Sequence, residues 1–165
     1  MKKQLLVFFL LIVSFTQSFS QIKINEVQSS NTKTIKDPQF QEYGDWVELY
    51  NPGTSSINIG GYYLTDDKDE PRKWQIPTGT SIAAKGYLIV WADGKNLNLH
   101  ANYKLGVDGE KLLLYSNTML FQDSVRYPVI ETDFSFGRTV NGAGEWALLT
   151  APTPGTSNVS TVVKG

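Results

Sequence analysis

Asp45-Trp46-Val47-Glu48-Leu49-Tyr50-Asn51-Pro52-Gly53 is the stretch that decides the fold class. Side chains alternate across an extended chain, so Val47 and Leu49 share one face and Trp46, Glu48 and Tyr50 the other. Asn51-Pro52-Gly53 then stops the strand with turn chemistry. The same grammar recurs on both sides. Ile22 to Val27 alternates at first and then loses strict register. Ile57 and Ile59 make a brief strand ended by Gly60-Gly61, followed by Tyr62-Tyr63-Leu64-Thr65, Lys73-Trp74-Gln75-Ile76 and Thr80-Ser81-Ile82. Gly86-Tyr87-Leu88-Ile89-Val90-Trp91-Ala92 is apolar on both faces, which predicts a central strand covered on both sides. Lys111-Leu112-Leu113-Leu114-Tyr115 reads similarly, and Leu120 to Tyr127 is its hairpin partner across Ser116-Asn117-Thr118. Short strands at 134–138 and 145–148 close the series.

Helical spacing is nearly missing: no long stretch places apolar residues at i, i+3, i+4 and i+7. Many short strands without intervening helices predict an all-β sandwich or barrel. No fixed-period repeat occurs, which argues against a propeller or solenoid. Two segments stand apart. Residues 28–44 form a long polar stretch, of the kind that is functional or mobile. From Thr150 onward, Pro152, Pro154 and Gly155 read as a domain exit followed by linker, with nothing packed after Asn158.

Composition excludes several functions. The chain has 165 residues, 41% of them hydrophobic, enough for one domain with a real core. Without cysteine there is no disulfide scaffold, thiolate metal site or cysteine nucleophile. A single His makes a His-rich metal site or a Ser-His-Asp centre improbable, and no Gly-x-Ser-x-Gly elbow occurs. Fifteen Lys+Arg against 16 Asp+Glu leave no charge for gripping nucleic acid.

The first twenty residues read as an export signal. Lys2 and Lys3 precede the apolar run Leu5 to Val13, and Ser18-Phe19-Ser20 fits a small-x-small cleavage site that makes Gln21 the mature N-terminus. The apolar run is shorter than the roughly 20 residues of a spanning helix, so no membrane span is expected after cleavage. No Cys is present to carry a lipid. Cleavage removes two lysines and no acid, which takes the net charge from −1 to −3. The expected organisation is a signal peptide over 1–20, a β-sandwich domain over 21–158, and a tail or linker start over 159–165. The expected location is secreted, periplasmic or cell-surface.

Five candidate sites follow. The acidic turn Asp66-Asp67-Lys68-Asp69-Glu70 suits a hard cation such as calcium through Asp66, Asp67 and Asp69. It lacks the Gly and Glu positions of an EF-hand loop, and Lys68, Arg72 and Lys73 offset its charge, so a solvated hairpin is the plainer reading. Glu48, between Trp46 and Tyr50, would serve as a general base if desolvated. Capping a turn or pairing at the surface is the commoner fate, and no partner acid stands at an obvious spacing. His100 lies in the polar loop Asn98-Leu99-His100-Ala101-Asn102 and is expected to do nothing chemical. The glycine-rich run Gly137 to Gly144 lacks the Gly-Lys-Ser/Thr ending of a phosphate loop and reads as a hairpin. Finally, four Trp and eight Tyr are many for a small domain. Trp74 and Trp91 are assigned to the core. Tyr43, Trp46 and Tyr50, beside the 28–44 loop, form the candidate binding patch.

The ordered motifs resemble those of the lamin tail domain family, in its secreted bacterial form. They are Ile24-Asn25-Glu26-Val27 with Ser29-Ser30-Asn31, then Asp45 to Asn51, Ile59-Gly60-Gly61-Tyr62-Tyr63-Leu64-Thr65-Asp66-Asp67 and Lys73-Trp74-Gln75-Ile76-Pro77. Ile82 to Leu88, Trp91-Ala92-Asp93, Ser135-Phe136-Gly137-Arg138 and Pro152-Thr153-Pro154-Gly155-Thr156-Ser157-Asn158 follow. The resemblance implies an immunoglobulin-like β-sandwich with no catalytic residues to carry over and no cofactor. It further implies an exported module that binds a protein, a glycan or the cell envelope. The alternative is an N-terminal targeting or accessory domain of a larger secreted enzyme, such as a nuclease, phosphatase or spore-coat-kinase-like protein, with its catalytic part outside this chain. A stand-alone hydrolase working through a metal at Asp66, Asp67 and Asp69 is a more distant third reading.

Overall fold

The computed structural model describes residues 21–158; the signal expected over 1–20 and the tail expected over 159–165 lie outside the described residues. The described chain is all-β, with no helix. Its eleven strands are β1 (Lys23–Gln28), β2 (Trp46–Tyr50), β3 (Ile57–Asn58), β4 (Tyr63–Thr65), β5 (Trp74–Gln75), β6 (Ser81–Ile82), β7 (Tyr87–Trp91), β8 (Lys111–Tyr115), β9 (Phe121–Arg126), β10 (Ser135–Val140) and β11 (Ala143–Leu149). A five-stranded sheet runs β11-β10-β1-β2-β7, a four-stranded sheet runs β5-β4-β8-β9, and β3 pairs with β6. Every pairing between these strands is antiparallel. This is an immunoglobulin-like sandwich.

The alternation read in Trp46–Tyr50 explains the layering. Val47 and Leu49 face the main core, with Ile24 and Val27 from β1 and Val90 from β7. Leu64, Leu112, Leu114 and Val125 meet them from the four-stranded sheet. Each aliphatic side chain buried this way contributes about 1.5–3 kcal/mol. The other face of the five-stranded sheet carries Trp46, Glu48 and Tyr50, yet all three are buried too. That face is covered by loops, which makes the molecule thicker than two sheets. The register lost in Ile22–Val27 is a bulge: pairing with β2 shifts between Ile24 and Glu26, leaving Asn25 as the extra residue.

Three expectations change. β7 is the terminal strand of its sheet, with Tyr87, Leu88 and Ile89 only half-buried. A doubly apolar run does not distinguish a central strand from an edge strand shielded by a loop. Here the loop after β7 supplies the shield, with Trp91 N donating to Leu99 O at 2.8 Å and Ala101 N to Trp91 O at 2.7 Å. The polar stretch 28–44 is tied down by its own side chains. Asp37 accepts from the backbone of Gln39 and Phe40, and Asn31 Nδ2 donates to Ile35 O and Gly44 O. The segment 150–158 does not leave the domain as linker, because it folds back onto β1 and β2. By contrast β8 lies between β4 and β9, and the β8–β9 hairpin turns at Ser116 as expected.

Candidate functional site

The proposed aromatic patch does not form a single exposed surface. Trp46 is 0% exposed, and its Nε1 donates to Gln28 Oε1 at 2.7 Å. Gln28 is held in turn by the 28–44 loop, its Nε2 donating to Thr34 Oγ1 at 2.8 Å. Trp91, opposite Trp46 in the register, stacks on His100 at 6.4 Å, and Phe40 meets the same His edge-on at 5.0 Å. Trp46 and Trp91 thus form a second small core under the loops, while Trp74 joins the main one. Tyr50 is 7% exposed, packed against Tyr87 at 5.0 Å and under the β10–β11 turn. A Cβ on Gly142 in that turn would lie 2.8 Å from the Tyr50 ring, so the turn needs glycine there. Only Tyr43 remains exposed, beneath Lys36 and beside a small pocket of about 210 Å³ shared with Asp45, Lys95 and Lys104.

The acidic turn keeps its carboxylates apart. Asp66 pairs with Lys73 at 2.7 Å. Asp67 accepts from the backbone N of Asp69 at 2.8 Å, and Asp69 pairs with Lys68. Among the described residues, no group of three or more His or acidic side chains is arranged to hold a metal ion.

His100 is not a loose loop residue. It is 2% exposed, with Nδ1 2.9 Å from Asp93 Oδ2 and Nε2 3.7 Å from Asp37 Oδ2. It clips the loop after β7 to the 28–44 segment. Lys95, bonded to Asp93 and Glu42, closes the same cluster from outside.

Glu48 has a partner acid that sequence spacing does not reveal. Glu26 lies directly across from it in the β1–β2 register, and both are 0% exposed. Glu26 accepts from Ser135 Oγ, Thr153 N and Thr153 Oγ1. Glu48 accepts from Asn25 Nδ2 at 2.8 Å and from Gly155 N at 2.6 Å. Asn158 completes the cluster, its side chain bonded to Asn25 and to Arg138 O. Burial raises both carboxyls, Glu48 to about 8, and the neighbouring Glu26 charge pushes Glu48 the same way. A paired acid with one raised pKa is the arrangement expected of acid–base chemistry. Here the Thr153–Asn158 turn lies across it and no solvent reaches it, so its work is to fasten the C-terminal turn to the sheet.

An open groove of about 1390 Å³ lies elsewhere, between the start of β1, the turn after β2, and the β8–β9 hairpin. Its walls include Gln21, Asn117, Gln122, Thr54, Tyr62 and Phe121, with Lys23 as the single charged residue among the described ones. Phe121 is 52% exposed, and its ring is met edge-on by Tyr115 at 6.0 Å. Sequence reading missed this surface, since its residues are ordinary turn and edge residues spread from 21 to 122.

The family model described as Lamin Tail Domain matches residues 16–128. No curated protein and no solved structure matches the chain. β10, β11 and the C-terminal turn lie beyond the matched span, yet they complete the sandwich and close over Glu26 and Glu48 within it. The all-β sandwich, the buried Trp46–Tyr50 strand and this match agree: the chain belongs to the lamin tail domain family, a non-catalytic immunoglobulin-like fold.

Proposed function

We propose that this chain is an exported binding module of the secreted bacterial type, non-catalytic, and that its groove takes a neutral glycan. The observation that carries this reading is the chemistry of the groove wall. Asn117 and Gln122 each offer a carbonyl and an NH2 group, and Gln21 offers a carbonyl and an N–H, so all three both accept from and donate to hydroxyls. Thr54 and Ser55 add hydroxyls of their own, and Phe121 offers an exposed apolar ring on which a sugar face can rest. Among the described residues the wall carries no carboxylate and a single cation, which suits neither a charged peptide nor a nucleic acid. Basic and apolar runs at Lys2–Val13 support export.

The test is a glycan array probed with the exported protein, followed by calorimetry on any hit. Phe121→Ala and Asn117→Ala are each expected to weaken binding at least about tenfold, or about 1.4 kcal/mol, without unfolding a half-exposed position. Binding unchanged in both variants, or no neutral glycan bound at all, refutes the reading.

A further inference from the structure

Gln21 sits where sequence and structure impose different demands on one residue. It is exposed and lines the groove, whereas Ile22 beside it is 1% exposed in the main core and β1 begins at Lys23. The chain is therefore anchored one residue after Gln21, and whatever chemistry occurs at Gln21 is held against the groove wall. We propose that Gln21 becomes the N-terminal residue on export and closes to a pyroglutamate ring, which forms part of the groove wall. This rests on the export reading above, with the cut after Ser20.

The ring closure needs only atoms of Gln21. The freed α-amine nitrogen attacks Cδ of the side-chain amide and a nitrogen–carbon bond forms. The bond from Cδ to Nε2 breaks, and that nitrogen leaves as ammonia, carrying a proton from the amine. Nothing is oxidised or reduced, and no co-reactant enters. The product is a five-membered lactam that retains Oε1 as its carbonyl oxygen. Before closure that oxygen accepts a hydrogen bond from Lys23 Nζ at 3.3 Å. Because Ile22 stays in the core, neither it nor β1 moves. The charge at the wall does change. A free α-amine would add a second cation beside Lys23, whereas the lactam leaves Lys23 alone in an otherwise neutral groove.

The experiment is intact-mass and N-terminal peptide analysis of the full chain recovered from an exporting bacterial host. The expected result is a chain beginning at Gln21 and lighter than its free-amine form by about 17 Da. It should resist sequential N-terminal degradation until pyroglutamyl aminopeptidase removes the ring. Gln21→Ala should restore full mass and a free amine, with unfolding unchanged. A chain beginning at Gln21 with full mass and a free amine overturns the cyclisation while leaving export intact. A chain beginning at any other residue overturns the cut itself and the proposal with it.

Discussion

Glu48→Gln should change how the stability of this protein depends on pH. In the unfolded chain Glu48 loses its proton near 4.5, whereas in the folded protein burial and the Glu26 charge hold it to about 8. Between those values the folded state binds more protons than the unfolded state, so stability falls as pH rises. The contribution of Glu48 is fully present below pH 4.5 and is lost by about pH 8. Moving a carboxyl from 4.5 to about 8 corresponds to a difference on the order of 5 kcal/mol, at about 1.4 kcal/mol per pH unit. Glu26 and Asp45, both raised by burial, act in the same direction. The donors from Asn25 and Gly155 oppose the shift, because they favour the ionised form. The assay is urea unfolding followed by tryptophan fluorescence at several pH values between 5.5 and 8.5, for the wild type and for Glu48→Gln. Gln has no proton to lose, so its profile should be flatter than the wild type by up to about 1.4 kcal/mol per pH unit within the window. Gln also turns an NH2 group toward Asn25 or Gly155, which costs about 1–3 kcal/mol at every pH. The difference in slope is therefore the readout, and the offset is not. Equal slopes for the two proteins, or wild-type stability that rises from pH 5.5 to 7.5 through Glu48, would refute the buried-pair account.

Two further outcomes test the packing. Trp46→Ala empties the small core under the 28–44 loop and leaves Gln28 Oε1 without its donor; chemical denaturation should show a loss of about 3–5 kcal/mol, and a loss near zero would mean that Trp46 is solvent-facing. Gly109→Ala places a Cβ 2.5 Å from Tyr127 O at φ +83°, so the melting temperature should fall by several degrees; an unchanged value would show that the turn before β8 can reorganise.

Much of the fold is written locally. Val47 and Leu49 alternate with Trp46, Glu48 and Tyr50, and strand periodicity follows from backbone geometry with no knowledge of neighbours. Turn residues such as Asn51-Pro52-Gly53 carry their own signal, since Asn51 Oδ1 accepts from Gly53 N at 2.8 Å within the turn itself. The β8–β9 hairpin was legible for the same reason: its partners are close in sequence. The absence of Cys and the single His also bear on function without any structure.

What lay between distant segments was not legible. Alternation says that Trp46, Glu48 and Tyr50 share a face; it cannot say whether that face meets water. The 28–44 loop, the loop after β7 and the 150–158 turn decide that, and each is polar enough to be read as free chain. Their polar side chains are there to satisfy backbone groups, as Asp37, Asn31 and Asn158 do, and buried carboxyls, as Thr153 does for Glu26. Glu26 and Glu48 become a pair only through the β1–β2 register, and the open groove exists only because residues from 21 to 122 converge. The sequence by itself determined the strands, the turns and the all-β class, because these depend on backbone periodicity and short-range hydrogen bonds. Tertiary structure alone decided which face of the sheet is buried, which acids meet and where a groove opens, because burial and long-range pairing are properties of segments brought together from far apart in the chain.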